Sequence, residues 1–298
     1  MTRKFFTLDV FTDRALAGNP LAVVLDSKGL DDSEMLSIAG EFNLSETVFV
    51  SPPVNPSNGA ALRIFTPAHE LPFAGHPTVG TAVLLNHLNH LGCSDEFVLE
   101  ERVGPVKCAI SKDGDLARAR FDLPKVSELV EHNFDPDLVV EAVGVSKDDL
   151  LAEKVEVWNG GVEYTMVPVS SLDAVKNANA VADMLPKALP FIGFRVTNPY
   201  VFCEGGEARD TDFHARMFAP NFGIPEDPAT GSAVASLSGW IAKYKMADTE
   251  TRSFKIEQGY EMGRPSQIYL DIEKRDGVVV NAGISGSAVI VSEGHLRL

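Results

Sequence analysis

His76-Pro77-Thr78-Val79-Gly80-Thr81-Ala82-Val83 and Asp227-Pro228-Ala229-Thr230-Gly231-Ser232-Ala233-Val234 are near copies of one another, about half a chain apart. Pro, Gly, Ala and Val recur at the same offsets, and Thr81 is matched by Ser232. Upstream, Phe65, Pro67 and Pro72 find counterparts in Phe218, Pro220 and Pro225, with a two-residue slip between the blocks. Such a repeat predicts a duplicated fold that buries like elements alike. The first residue of each block differs, and both are titratable: His76 in one, Asp227 in the other. A duplicated protein whose symmetry is broken by two titratable groups is a candidate for an asymmetric site between its halves.

Each block reads as the start of a helix. Pro77 suits a first helical turn, because it has no N–H to orphan and its φ is already helical. Thr78–Leu91 is then apolar almost all round, which predicts a buried helix stopped at Gly92. In the second block Asp227 reads as an N-cap with Pro228 at the first helical position. The small residues that follow, interleaved with Val234, Leu237, Trp240 and Ile241, suit close packing against a sheet.

Strands are predicted around both helices. In the first half they are Lys4–Val10, Leu21–Leu25, Glu46–Val50, Leu62–Phe65, Phe97–Leu99, Val106–Ile110 and Ala117–Phe121, with a turn at Asp113-Gly114. In the second half they are Val162–Val169, Phe191–Cys203, Lys255–Glu257, Ser266–Ile272, Val278–Ala282 and Ala288–Val291. A helix capped by Asp31 or Asp32 has Met35, Ile38, Ala39 and Phe42 on its apolar face. Pro136–Val143 and Lys147–Leu151 read as short helices, the second opened by a Ser146/Asp149 capping box. The pattern breaks at Leu123-Pro124, where the domain changes. The fold class is α+β: two domains, each a sheet curled around its helix.

The chain of 298 residues is 45% hydrophobic and carries a formal net charge of −16, which argues against nucleic acid and against an anionic membrane surface. A small anionic substrate would need a local positive site rather than global steering. Cys93, Cys108 and Cys203 are sparse and odd in number and read as free thiols of a reducing compartment. No CxxC and no His/Cys pattern of metal-ligand spacing occurs, so no metal is expected. The N-terminus has no apolar signal core, and no apolar run approaches the roughly 18 residues of a membrane span. A cytoplasmic protein is expected.

Two helix N-termini offer unpaired N–H groups and partial positive charge, the equipment of a carboxylate site. His76 reads as an acid, a base or a hydrogen-bond donor, or else as a turn histidine satisfied by backbone. Asp227 reads equally as a simple N-cap, and Ser232 as packing within a small-residue helix. Glu46, in Asn43-Leu44-Ser45-Glu46-Thr47, is either a solvated strand end or, paired with a histidine and an aspartate, a general acid/base. Gln258-Gly259…Gly263-Arg264-Pro265-Ser266 reads first as a structural hairpin. Arg63 and Arg264 are the cations to watch near an anion.

Taken together, Asp9-Val10-Phe11-Thr12…Gly18-Asn19-Pro20, Ser45-Glu46-Thr47, Gly75-His76-Pro77-Thr78, Glu226-Asp227-Pro228-Ala229-Thr230-Gly231-Ser232 and the Gln258–Ser266 loop resemble the PhzF-like phenazine-biosynthesis family over essentially the whole chain. The resemblance implies a diaminopimelate-epimerase-like fold of two pseudo-symmetric domains, each a curled, mainly antiparallel sheet around a central helix, with the active site in the cleft between them. It places the domains at 1–120 plus 286–298 and at 121–285, and it implies a homodimer.

The same resemblance implies an isomerase that moves a proton within a cyclic amino acid without metal or organic cofactor. Glu46, His76 and Asp227 are then the catalytic residues, and Gly75, Gly231 and Ser232 bind substrate. Related racemases use two cysteines at these loops, where this chain has Ala74 and Ala233. The expected function is therefore acid/base isomerisation of a small carboxylate, cyclic and amino-bearing ones included. The alternatives are a non-catalytic ligand-binding or protein-interaction module, and a racemase.

Overall fold

The computed structural model describes residues 2–91, 95–113 and 116–298. The chain forms two compact units, Met1–Pro124 with Ser285–Leu298 (unit 1) and Lys125–Ile284 (unit 2).

Unit 1 is built on β1 (Thr2–Val10), β2 (Asn19–Val24), α1 (Asp32–Phe42), β3 (Glu46–Ser51), β4 (Ala60–Phe65), β5 (Glu70–Leu71), α2 (Gly75–His87), β6 (Glu96–Glu101), β7 (Gly104–Asp113) and β8 (Leu116–Asp122). β1 pairs antiparallel with β2 and, on its other edge, with the C-terminal segment, Val10 facing Ala288 and Thr2 facing Arg297. β2 runs parallel to β3, which sets Leu21 beside Glu46. β3 to β4, β6 to β7 and β7 to β8 are antiparallel.

Asp31 caps α1 in a complete capping box with Glu34. The helix buries Met35, Ile38 and Ala39 against Val24, Phe49 and Phe65. α2 is buried at every position from Gly75 to Leu85 and packs on β1, β2, β3, β7 and β8. Its repeated glycine has a steric reason. A Cβ on Gly80 would come within 2.6 Å of Leu21 and 2.7 Å of Val10, so only glycine lets the helix approach β1 and β2 this closely. α2 ends at His87, short of the expected Leu91, where the chain emerges into solvent. The expected stop at Gly92, the turn at Gly114, and Cys93 lie outside the described residues.

Unit 2 contains β9 (Glu128–Val130), α3 (Pro136–Val143), β10 (Glu156–Asn159), β11 (Glu163–Pro168), α4 (Leu172–Asn177), α5 (Leu185–Ala188), β12 (Phe191–Ile192), β13 (Arg195–Val196), β14 (Asn198–Glu204), β15 (Phe213–Ala219), β16 (Ile224–Asp227), α6 (Gly231–Tyr244), β17 (Glu250–Gln258), β18 (Ser266–Arg275) and the first part of β19 (Val278–Arg297). β9, β10 and β11 are antiparallel neighbours, β11 to β14 and β15 to β17 are parallel, and β14 to β15, β15 to β16 and β17 to β18 are antiparallel.

α6 packs on β9, β10, β11 and β18. Its small residues do what the sequence predicts. A Cβ on Gly239 would lie 2.2 Å from the Trp158 ring, and one on Gly160 would lie 2.6 Å from the Ala235 carbonyl carbon. A second core joins Val139, Val143, Val175 and Leu185 to Val167, Val201 and Phe218.

Several expectations are corrected. Ser146 and Asp149 do bond each other, at 2.6 Å, but they close a turn rather than open a helix, and Leu150 bridges to Val169 instead. Phe191–Cys203 is interrupted, forming β12, β13 and β14. Val278–Ala282 and Ala288–Val291 are parts of one strand, β19. β15 is buried at all seven positions yet is not legible in the sequence, because His214 and Arg216 interrupt its apolar pattern.

Candidate active site

Glu46 opens β3, with its side chain partly buried next to β2. His76 is the second residue of α2 and is 5% exposed. The two are in one unit, and His76 Nε2 lies 3.4 Å from Glu46 Oε2. The other face of the imidazole meets the Gly18-Asn19-Pro20 turn, where the ring bonds the Pro20 backbone. Proline has no N–H, so the ring nitrogen is the donor and the Pro20 carbonyl accepts. Nε2 has no hydrogen-bond partner among the described residues, which identifies Nδ1 as the nitrogen that carries the hydrogen. Burial drives the His76 pKa from 6.5 to about 3, against the opposing pull of the Pro20 bond. The ring is therefore neutral at pH 7 and presents its Nε2 lone pair to the Glu46 carboxyl.

The start of α2 has no side-chain cap, since Ala74 occupies that position. Gly75 is buried there. One turn on, the Thr78 hydroxyl lies 2.8 Å from the Ala74 carbonyl and 2.7 Å from Glu101 Oε1. Glu101 is buried, and its pKa is pushed up to about 8 by burial, against the Thr78 bond.

In unit 2 the second block departs from the first. Asp227 is not an N-cap. It ends β16, opposite Met217, and α6 begins only at Gly231, with Thr230 at the cap position. His76 thus lies inside its helix, whereas Asp227 precedes its own by four positions. The reason is a buried polar cluster. The Asp227 carboxylate takes the Thr230 hydroxyl. Gln258 Nε2 donates to the Asp227 carbonyl at 2.7 Å and to Thr230 Oγ1 at 2.9 Å, and Gln258 Oε1 accepts from Thr230 N–H and from Tyr200 Oη, both at 3.2 Å. These bonds hold Asp227 to Thr230 in a non-helical path.

Gly259 (φ 79°) touches this path, because a Cβ there would meet the Pro228 carbonyl at 2.6 Å. The Gln258–Ser266 loop is therefore a hairpin that also braces Asp227. Gly231 is buried at the start of α6, and Ser232 Oγ lies 2.8 Å from Tyr164 Oη.

The two cations singled out in the sequence have structural partners. Arg63 makes two 2.7 Å bonds to Glu70 and one of 2.8 Å to Asp32, so it is committed within unit 1. Arg264 closes the loop through its backbone, donating to the Gly259 carbonyl at 2.9 Å. Thr230 stood in the quoted block without a role of its own, and Tyr164, Tyr200 and Glu101 were missed. Gln258 was reached through its Gln-Gly punctuation.

A neutral imidazole aimed at a carboxyl in a strand-rich fold is the equipment of an acid/base enzyme. The chain belongs to the phenazine biosynthesis-like family, whose profile matches residues 8–294. It is 44% identical to an uncharacterized isomerase of Mesorhizobium japonicum, over 99% of each chain. It is 32% identical, again over 99% of each, to the trans-2,3-dihydro-3-hydroxyanthranilate isomerase of Pseudomonas aeruginosa. The fold matches the crystal structure of the Bacillus anthracis PhzF-family protein with a TM-score of 0.88 at 24% identity, covering both chains completely. This protein is an isomerase acting on a small substrate. No helix among the described residues is long and apolar enough to cross a membrane.

Proposed function

We propose that this isomerase moves a proton between two carbons of a small cyclic carboxylate bearing an amino group, with Glu46 as the group that takes and returns it. The observation that carries the reading is the His76 lone pair facing Glu46 Oε2 at 3.4 Å. Glu46 removes a proton from carbon, and the C–H electron pair enters the conjugated system of the substrate. The new Glu46 O–H is met by His76 Nε2, which holds the proton for return rather than losing it to solvent. Return of the proton to a second carbon restores Glu46 and yields the isomer, with no net gain or loss of atoms.

In this reading Asp227 binds the amino group and polarises the substrate. Ser232 and the N–H groups at Gly75 and Gly231 hold the carboxylate, as helix N-termini do. The substrate class is that of the Pseudomonas relative, a dihydrohydroxyanthranilate or a close analogue. A fold of two pseudo-symmetric, curled and mainly antiparallel sheets around α2 and α6, a homodimeric state and a cytoplasmic location belong to the same reading.

A two-thiol racemase is disfavoured by the chemistry of the described cysteines. Cys108 and Cys203 are buried in β7 and β14. Burial pushes the Cys203 thiol to about 11, and the Cys108 thiol is pushed up as well, so neither supplies a thiolate near neutral pH.

The test is deuterium incorporation at substrate carbon in D2O, with trans-2,3-dihydro-3-hydroxyanthranilate and cyclic amino-carboxylate analogues. Glu46→Gln should slow incorporation by about a hundredfold or more while calorimetric affinity changes little. Incorporation at the wild-type rate in that variant would defeat the assignment.

A further inference from the structure

Unit 2 contains a buried ionic network that the proposed reaction does not use. His214, on β15, is fully buried. Its Nδ1 lies 3.2 Å from Glu257 Oε2 and its Nε2 lies 2.9 Å from Glu261 Oε1. Only an imidazolium can donate from both nitrogens, since a neutral ring would aim a lone pair at one carboxylate. Two residues on, Arg216 makes two 2.8 Å bonds to Glu226. It also donates to the carbonyls of Val175, Lys176 and Ala178, and lies 3.9 Å from Glu261 Oε2.

The three acids of this network each adjoin a part that touches Asp227. Glu226 precedes it in β16. Glu257 precedes Gln258, which binds the Asp227 carbonyl and Thr230. Glu261 lies in the loop whose Gly259 abuts Pro228. Buried ion pairs are poor stabilisers compared with well-packed apolar groups, and their best-attested use is to specify one arrangement. Glu257 also accepts from Glu207 N–H, Ala208 N–H and Thr211 Oγ1, so the network is anchored on a second loop.

We infer that His214 is a positioning residue of the isomerase: as a cation shared by Glu257 and Glu261, and with Arg216 on Glu226, it fixes the segment from Asp227 to Gly231 in its working geometry. The inference rests on the reading of Asp227 as a site residue. Among the groups facing His214, the two carboxylates favour a charged ring and the Arg216 cation opposes it. These groups are Glu257 from β17, Glu261 and the Tyr260 ring from the loop, Cys203 across the β14–β15 pairing, and Arg216 on its own strand. Burial alone would lower the His214 pKa, but the two carboxylates outweigh it and raise it to about 9. Glu257 is held down at about 2, its bonds overcoming the cost of burial.

The experiment compares the full-length wild-type enzyme with His214→Gln, Glu261→Gln and the double variant. Amide hydrogen exchange is followed by mass spectrometry and turnover by deuterium incorporation into trans-2,3-dihydro-3-hydroxyanthranilate. His214→Gln should raise exchange in residues 224–232 at least about tenfold while 237–244 of α6 stay protected. kcat should fall at least about tenfold with KM within about threefold. Adding Glu261→Gln, which removes one of the stranded carboxylates, should restore most of the protection. Glu261→Gln alone should move the alkaline limb of kcat to lower pH, because it removes one of the two carboxylates that hold the His214 proton.

Uniform deprotection of unit 2, or unchanged protection of 224–232, overturns the inference. Asp227→Asn is run in parallel. If it is inactive while His214→Gln turns over normally, this inference alone fails. If Asp227→Asn is fully active, the reading of the site fails.

Discussion

His76 Nε2 faces Glu46 Oε2 at 3.4 Å while the opposite ring nitrogen donates to the Pro20 carbonyl. A helix, a strand start and a proline turn, far apart in the chain, therefore set one tautomer of one histidine. That tautomer leaves a lone pair, not an N–H, in front of the carboxyl. It suits His76 to accept a hydrogen bond from a protonated Glu46 rather than to stabilise a permanent carboxylate.

His76 should remain neutral and Nδ1-protonated from pH 8 down to pH 5, which long-range proton–nitrogen correlation spectra of the ring would show. The sign of the linked stability follows. The folded pKa of about 3 lies below the unfolded value of 6.5, so the unfolded chain binds the proton first and stability falls as pH drops from about 6.5 towards 3. His76→Asn should slow deuterium incorporation about ten- to a hundredfold. A ring that titrates near pH 6.5 in the folded protein would contradict the geometry.

Ser232→Ala should raise KM about tenfold with kcat nearly unchanged, the signature of a lost ground-state contact to a carboxylate. Tyr164→Phe, which removes the 2.8 Å bond to Ser232 Oγ, should cost about 1 kcal/mol of stability by urea denaturation. A double-mutant cycle that shows no coupling between the two would place Ser232 in packing alone.

Gly259→Ala should destabilise by roughly 2 kcal/mol or more, measured by urea midpoint, because φ is 79° and the new Cβ would press on the Pro228 and Arg264 carbonyls at 2.6 and 2.5 Å. Gly263→Ala, at a φ of 71° with open space around the added Cβ, bears only the backbone strain and should cost less. Equal losses would show that the contact with Pro228 is not under compression.

Glu101 supplies a pH prediction of opposite sign. Its folded pKa of about 8 is above the ordinary 4.5, so its contribution is fully present below pH 4.5 and is lost as pH rises through about 8. Burial is the reason: it disfavours the ionised carboxylate, and the Thr78 hydroxyl, which donates both to Glu101 Oε1 and to the Ala74 carbonyl, offsets only part of that cost. Glu101→Gln should flatten the fall in melting temperature between pH 5 and pH 8.5. An unchanged slope would exclude Glu101 as its source.

The duplicated blocks determined much by themselves. Pro and Gly at fixed offsets marked two buried helices. The small residues of α6 announced close packing, and the motif set carried the family. Periodicity and Gly/Pro punctuation are local, so they survive in a linear reading.

The tertiary structure alone decided the rest. It drew Asp227 out of its helix, because Gln258, 31 positions later, takes its carbonyl. It committed Arg63 to Glu70 and Asp32. It concealed β15 from pattern reading by burying His214 and Arg216 among carboxylates, and it set the tautomer of His76 through Pro20. In each case the deciding term is a hydrogen bond or ion pair made away from water between residues distant in sequence. The strength of such a term depends on burial and geometry that no stretch of sequence contains.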